Sequence, residues 1–293
     1  MKSRVLGPIS ALVLGCFPVD PALAQGLNNS SKRFVSPAEI KRSDWAKPRE
    51  MARTWRAAIV RVPTGKGRSK SISTAALANW IPRDGGKVPA VIYMHGCSGL
   101  WSGSKYRVKL MADLGFVVVA PASFARQKYA QSCDVKTNNA DMFRDVLRLR
   151  QADASFAVQQ LRKLPFVDQK KVVLMGLSQG GVTAATYKSG SGKTKVTHRI
   201  IEGWTCNAWW PEYDGLKASR SEPVISFVGA NDPWYQTKWV KGHCGTKMKR
   251  NNGSVSVVFR QGKLARTHEL LEHSAARTAL KAFLQAQGLI TEK

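Results

Sequence analysis

One pentapeptide in the chain has the residue types and spacing of an activated nucleophile: Gly176-Leu177-Ser178-Gln179-Gly180. It lies between an apolar run, Val172-Val173-Leu174-Met175, that reads as a strand and a segment from Gly180 to Tyr187 that reads as a helix. A serine on a sharp strand-to-helix turn is thrust out beyond the strand end, and the flanking glycines remove Cβ atoms that would clash in so tight a turn. Its hydroxyl is a poor nucleophile until a base takes the proton, and the base needs a carboxylate to orient it. In this geometry the partners follow in the order serine, acid, histidine.

Five histidines can be weighed for the base. His95 precedes the serine, His198 opens a strand and His243 lies in a cysteine-containing segment before the last strand. His268 falls in the loop after that strand, where the imidazole can swing over the sheet edge, so it is preferred to His273, which belongs to the closing helix. For the acid, Asp232 follows the strand Val224 to Val228 in Gly229-Ala230-Asn231-Asp232-Pro233, with Glu212 and Asp214 as fallbacks after the preceding strand. The oxyanion of a tetrahedral intermediate needs preorganised donors. The amide of Gln179 is one. The loop His95-Gly96-Cys97-Ser98-Gly99 supplies the other, assigned to the Cys97 amide, with the His95 imidazole tying that loop in place.

These residues need a scaffold, and the hydrophobic pattern describes one. Strands are expected at 57–62, 73–81, 88–95, 116–120, 171–175, 199–203, 224–228 and 255–259, and helices at 104–114, 141–164, 180–187, near 234–241 and at 272–287. In 141–164, Met142, Val146, Leu149, Phe156, Leu161 and Leu164 recur at amphipathic spacing, and Pro165 ends the run. Two strands joined by a basic, glycine-rich turn, followed by strand and helix in alternation, predict an eight-stranded, mostly parallel sheet with helices on both faces and an antiparallel start. Ser189 to Lys195 lacks the first glycine of a phosphate-binding loop and follows a helix, so it reads as a basic surface loop.

The first 24 residues combine Lys2 and Arg4 with an apolar stretch and Ala22-Leu23-Ala24, the pattern of a secretory signal, and Cys16 offers a weaker case for lipoprotein anchoring. The expected organisation is a signal peptide over 1–24, a basic arm over 25–50 and one catalytic domain over 51–293. Export to the periplasm or beyond favours pairing of Cys97, Cys133, Cys206 and Cys244; no C-x-x-C spacing supports a metal or redox site. The net charge of +27 suits electrostatic association with anionic envelope surfaces, while export argues against a specific nucleic-acid partner.

From about Trp55 onward the chain resembles the dienelactone hydrolase family of α/β-hydrolases, in its exported serine members. The resemblance rests on His95 to Gly99, Ala120-Pro121-Ala122-Ser123-Phe124-Ala125-Arg126, Pro165-Phe166-Val167-Asp168, Gly176 to Gly181, Asp232 and His268. It implies the α/β-hydrolase fold, the triad Ser178, Asp232 and His268, donors from Cys97 and Gln179, no metal or cofactor, and disulfides Cys97–Cys133 and Cys206–Cys244. The namesake uses a cysteine where this chain has Ser178, so the resemblance implies hydrolysis of a small-molecule ester and leaves the substrate open. Trp204, Trp209, Trp210 and Trp234 follow strands at the expected pocket mouth. An envelope acyltransferase on the same fold and a non-catalytic basic envelope-binding protein are the rival readings.

Overall fold

The computed structural model describes residues 33–291 apart from Lys66 and Asp141; the expected signal segment, Cys16 and residues 25–32 of the arm lie outside the described residues. Eight strands form one sheet: β1 (Ile59–Gly65), β2 (Arg68–Ile72), β3 (Val88–Met94), β4 (Val117–Ala120), β5 (Val167–Leu177), β6 (His198–Glu202), β7 (Val224–Gly229) and β8 (Val255–Phe259). The α-helices are α1 (Arg42–Trp45), α2 (Pro48–Arg56), α3 (Thr74–Ala78), α4 (Ser102–Asp113), α5 (Val146–Arg162), α6 (Gln179–Thr186) and α7 (Ser274–Ala286).

Side chains on a strand alternate between its two faces, and here both faces are apolar, so the sheet is covered on both sides. In β3, Ala90, Ile92 and Met94 belong to one core with Leu147, Ala154, Val158 and Leu161 of α5 and with α6. Val91 and Tyr93 belong to the other, with Val108 and Met111 of α4 and Leu280 and Leu284 of α7.

The strand order is β2-β1-β4-β3-β5-β6-β7-β8. β1 runs antiparallel to β2 and β4, and the remaining pairs are parallel. From β3 the chain first adds β4 on one side and then β5 on the other. The ends of β3 and β5 therefore flank a topological switch point, where a parallel sheet opens a crevice for ligands. This is the eight-stranded α/β-hydrolase fold.

Three elements differ from the sequence expectation. Residues 73–81 are not a strand: the Ser73 hydroxyl accepts the Ala76 amide at 3.0 Å and caps α3. The strand is instead β2, which turns back on β1 through a tight connection with Arg68 opposite Gly65. The helix expected from residue 141 starts at Val146, after a turn at Arg144 and Asp145; further upstream Asp134 and Asn139 exchange backbone hydrogen bonds at 2.7 and 3.1 Å. Of 234–241 only Pro233–Tyr235 is helical, as one 3-10 turn. The segment 189–195 is a loop holding the single 3-10 turn Gly192–Thr194, none of it buried.

The described part of the arm is laid on the body. Phe34 packs edge-on to Phe124 at 5.5 Å, and the buried Arg126 guanidinium donates to the carbonyls of Asp44 and Trp45 at 3.0 Å while pairing with Asp153 at 2.7 Å. α2 runs through the expected boundary at residue 50. Both disulfides join loops after neighbouring strands: Cys97 with Cys133 beyond β3 and β4, and Cys206 with Cys244 beyond β6 and β7. No helix among the described residues is long and apolar enough to cross a membrane.

Candidate active site

Ser178 sits between β5 and α6 with φ 56° and ψ −119°, a left-handed backbone that a non-glycine residue adopts only when its surroundings impose it. The glycines around it explain how. A Cβ on Gly180 would lie 1.9 Å from the Met94 carbonyl oxygen of β3, and one on Gly176 would lie 2.0 Å from the Gly180 carbonyl oxygen. Helix α6 thus begins in backbone contact with the end of β3, and Ser178 is lifted out of the sheet. Its own amide donates to the Glu202 carbonyl of β6 at 2.8 Å.

The loop after β3 lies against it, since a Cβ on Gly96 would be 3.7 Å from the Ser178 Cβ. Cys97, Ser178 and Gln179 line one cavity of about 340 Å³. Two braces hold this corner: the Cys97–Cys133 disulfide and a hydrogen bond between the neighbouring Ser132 hydroxyl and the Gln179 side-chain amide at 3.0 Å. The buried His95 ring contacts the Gly96 carbonyl at 2.6 Å through Nδ1 and accepts the Ser123 amide at 3.3 Å through Nε2. Burial, aided by the Arg150 charge, holds its pKa well below the usual histidine value, so it remains a neutral strut of the loop.

His268 and Asp232 meet at 2.7 Å between Nδ1 and Oδ2. The other carboxylate oxygen of the buried Asp232 accepts the Trp234 amide at 3.0 Å. His268 Nε2 is buried and has no hydrogen-bond partner among the described residues. The ring lies against Gly203, where a Cβ would come within 3.0 Å of His268 Cε1, one residue beyond the Glu202 carbonyl that receives the Ser178 amide. The fallback acids are engaged elsewhere: Glu212 pairs with Arg144, and Asp214 accepts the Ala208 amide at 3.2 Å and faces Lys247 at 3.6 Å. His273 precedes α7 as its N-cap, away from Asp232.

A model of the dienelactone hydrolase family matches residues 76–258, well over half of the chain. The chain belongs to the dienelactone hydrolase family. Among solved structures, this dienelactone hydrolase family member is similar to esterase 2 of Thermogutta terrifontis with butyrate bound, at 15% identity over 80% of this chain and 91% of that one, with a TM-score of 0.46. It is also similar to a dienelactone hydrolase-like promiscuous phosphotriesterase from metagenomic libraries, at 22% identity over 70% and 88% of the two chains, with a TM-score of 0.48. No curated protein matches it.

Two features of this family member were not visible in its sequence. The first is Tyr235, whose hydroxyl donates to the Gly203 carbonyl and whose ring lies 5.7 Å from that of His268. Burial drives its pKa well above the usual tyrosine value, the Asp232 charge adds to the rise, and a hydrogen bond with Ser178 opposes it. The phenol is therefore protonated beside Ser178. The second is Arg107, fully buried on α4, which donates to both Glu202 carboxylate oxygens at 2.6 and 2.7 Å and approaches Glu269 and Glu272 at 3.2 Å. Glu202 also accepts the Leu271 amide at 2.8 Å, so this pair ties the strand beneath Ser178 to the loop that carries His268.

Removing one partner of a buried ion pair strands the other charge, at a cost of about 3–5 kcal/mol. Arg107→Met is therefore expected to lower unfolding free energy by that amount in urea titration, because Glu202 loses its counter-charge. Burial also raises the Glu269 carboxyl to about 7, with Arg107 opposing the rise and Glu202 and Glu272 adding to it. Between its ordinary value and pH 7 the folded protein keeps a proton that the unfolded chain has released. Stability from this group consequently falls as pH rises through that window. Glu269→Gln is expected to flatten the slope of Tm against pH between about 4.5 and 7; an unchanged slope would show that Glu269 does not titrate there.

Proposed function

We propose that the protein is an exported serine esterase that cleaves carboxylic esters of small molecules through an acyl-enzyme on Ser178. The observation that carries this reading is the division of labour on His268: Nδ1 is held by the Asp232 carboxylate, while the buried Nε2 makes no hydrogen bond among the described residues, in a ring packed against Gly203, the residue after the Glu202 carbonyl that receives the Ser178 amide. That arrangement fixes the tautomer in which Nε2 accepts a proton.

In the reaction, Nε2 takes the Ser178 proton as Oγ attacks the ester carbonyl. The resulting oxyanion is received by the amides of Cys97 and Gln179, each worth about 2.7–4 kcal/mol of barrier in such a site. As the tetrahedral species collapses, the protonated imidazole gives its proton to the departing alcohol. Water, deprotonated by the same nitrogen, then releases the acid and restores Ser178. The left-handed backbone of Ser178 and the braced Cys97 loop set nucleophile and donors before substrate arrives, so little reorganisation is left to the chemical step.

Two disulfides fit the oxidising compartments reached by export. The experiment is hydrolysis of p-nitrophenyl butyrate by the mature protein, with mass-spectrometric mapping after exposure to a fluorophosphonate. Turnover with a single adduct on Ser178 is the expected result. Absence of both turnover and adduct would overturn the esterase reading.

A further inference from the structure

The cavity beside Ser178 has a composition that bears on what enters it. Five of the chain's nine tryptophans, Trp204, Trp209, Trp210, Trp234 and Trp239, line it together with two tyrosines. Trp239, in the turn that follows Trp234, joins the four that the sequence placed at the pocket mouth. The wall is built from edge-to-face pairs: Trp209 with Trp239 at 4.2 Å, Trp204 with Tyr235 at 5.5 Å and Trp210 with Tyr213 at 5.6 Å. The Cys206–Cys244 disulfide ties the loop bearing Trp209 and Trp210 to the segment that follows Trp239, so the wall is organised before a ligand arrives. Trp209 and Trp239 remain 62% and 48% exposed, which leaves apolar ring surface for a ligand to cover.

A cage of tryptophan faces ordinarily suits a cation. Three observations oppose that here. The Arg144 guanidinium lies 4.6 Å from the Trp210 ring centre, and the Lys238 ammonium 4.6 Å from that of Trp239, so the protein's own cations occupy those rings. No acidic residue lines the cavity among the described residues. The whole chain carries +27, a field that repels cations and draws anions. Arg144 is partly neutralised by Glu212, but no carboxylate among the described residues pairs with Lys238.

We infer that the cavity selects aromatic esters bearing a negative charge, the ring seated against Trp209 and the anion near Lys238, which stacks on Trp239 beside the cavity. This deepens the esterase reading and rests on it for the word ester alone; the preference for an anionic ring is a property of binding. It is therefore tested on Ser178→Ala protein, by the quench of tryptophan fluorescence with four probes: 3-phenylpropionate, 3-cyclohexylpropionate, 3-phenylpropanamide and 3-phenylpropyl-trimethylammonium. The expected order places 3-phenylpropionate tightest, about fivefold below the cyclohexyl acid in Kd and at least about tenfold below the ammonium, as one aromatic contact and one screened charge would give. Lys238→Gln should narrow the gap between the acid and the amide, and Trp209→Ala the gap between phenyl and cyclohexyl. Equal or tighter binding of the cyclohexyl acid, preference for the ammonium, or no saturable binding of any probe overturns the inference. Loss of p-nitrophenyl butyrate turnover in the wild type would instead strike the esterase reading and leave the binding order to stand by itself.

Discussion

Ser178→Ala is expected to lower kcat for p-nitrophenyl butyrate by roughly 10⁴- to 10⁶-fold, because the nucleophile and its base act as one unit and removing either removes the acyl-enzyme route. His268→Ala should fall in the same range, and the double variant should be scarcely worse than either single one. Asp232→Asn should cost somewhat less. It keeps the packing of the buried side chain but exchanges the acceptor at Nδ1 for a group that can donate, which favours the wrong imidazole tautomer. KM should change little in all three, since none of them belongs to the aromatic wall. Stopped assays with burst-phase analysis check this directly. Additive losses in the double variant would mean that Ser178 and His268 do not share one mechanism.

Removal of the Cys97–Cys133 disulfide is expected to act on stability and activity together. The bond closes a loop of 36 residues, and the chain-entropy estimate for a loop of that length is about 4 kcal/mol. The paired variant Cys97→Ser, Cys133→Ser should therefore unfold at markedly lower urea concentration. It should also lose part of kcat, because Cys97 carries one expected oxyanion donor and the disulfide is half of what holds its loop against Gln179. The Cys206→Ser, Cys244→Ser pair closes a loop of 38 residues and should cost a similar amount of stability. Its effect on catalysis should appear in KM, since the loops it joins carry tryptophans and not donors. Equal kcat losses from the two pairs would remove the distinction drawn between donor loop and aromatic wall.

The site was legible in the sequence to the extent that its signals are local. The elbow around Ser178 depends on glycines within two residues and on one strand and one helix directly beside it, all written in consecutive positions. The alternating cores could be read because strand and helix periods are local properties too. The misreadings were local competitions that capping or turn contacts decided. Thr74 to Ala78 has strand-like neighbours, but Ser73 supplies a cap and the alanines accept a helix. The amphipathic spacing after 141 is real, yet Arg144 and Asp145 form a turn and α5 starts only at Val146.

By itself, then, the sequence determined the elbow, the order of serine, acid and histidine, the α/β alternation and the excess of positive charge, because each is a statement about neighbours along the chain or about totals. Only the tertiary structure decided which acid meets His268. Asp232, Asp214 and Glu212 are alike as residues after strands, and the hydrogen bond at 2.7 Å goes to the one placed beyond β7. The same holds for Arg107 and Glu202, 95 positions apart, which meet because the buried Arg107 side chain reaches from α4 to the end of β6. Tyr235 and Trp239 join Ser178 in lining one cavity, beside loops pinned by a disulfide. Contacts of that kind are set by how the sheet is ordered and covered, and no window of consecutive residues carries that information.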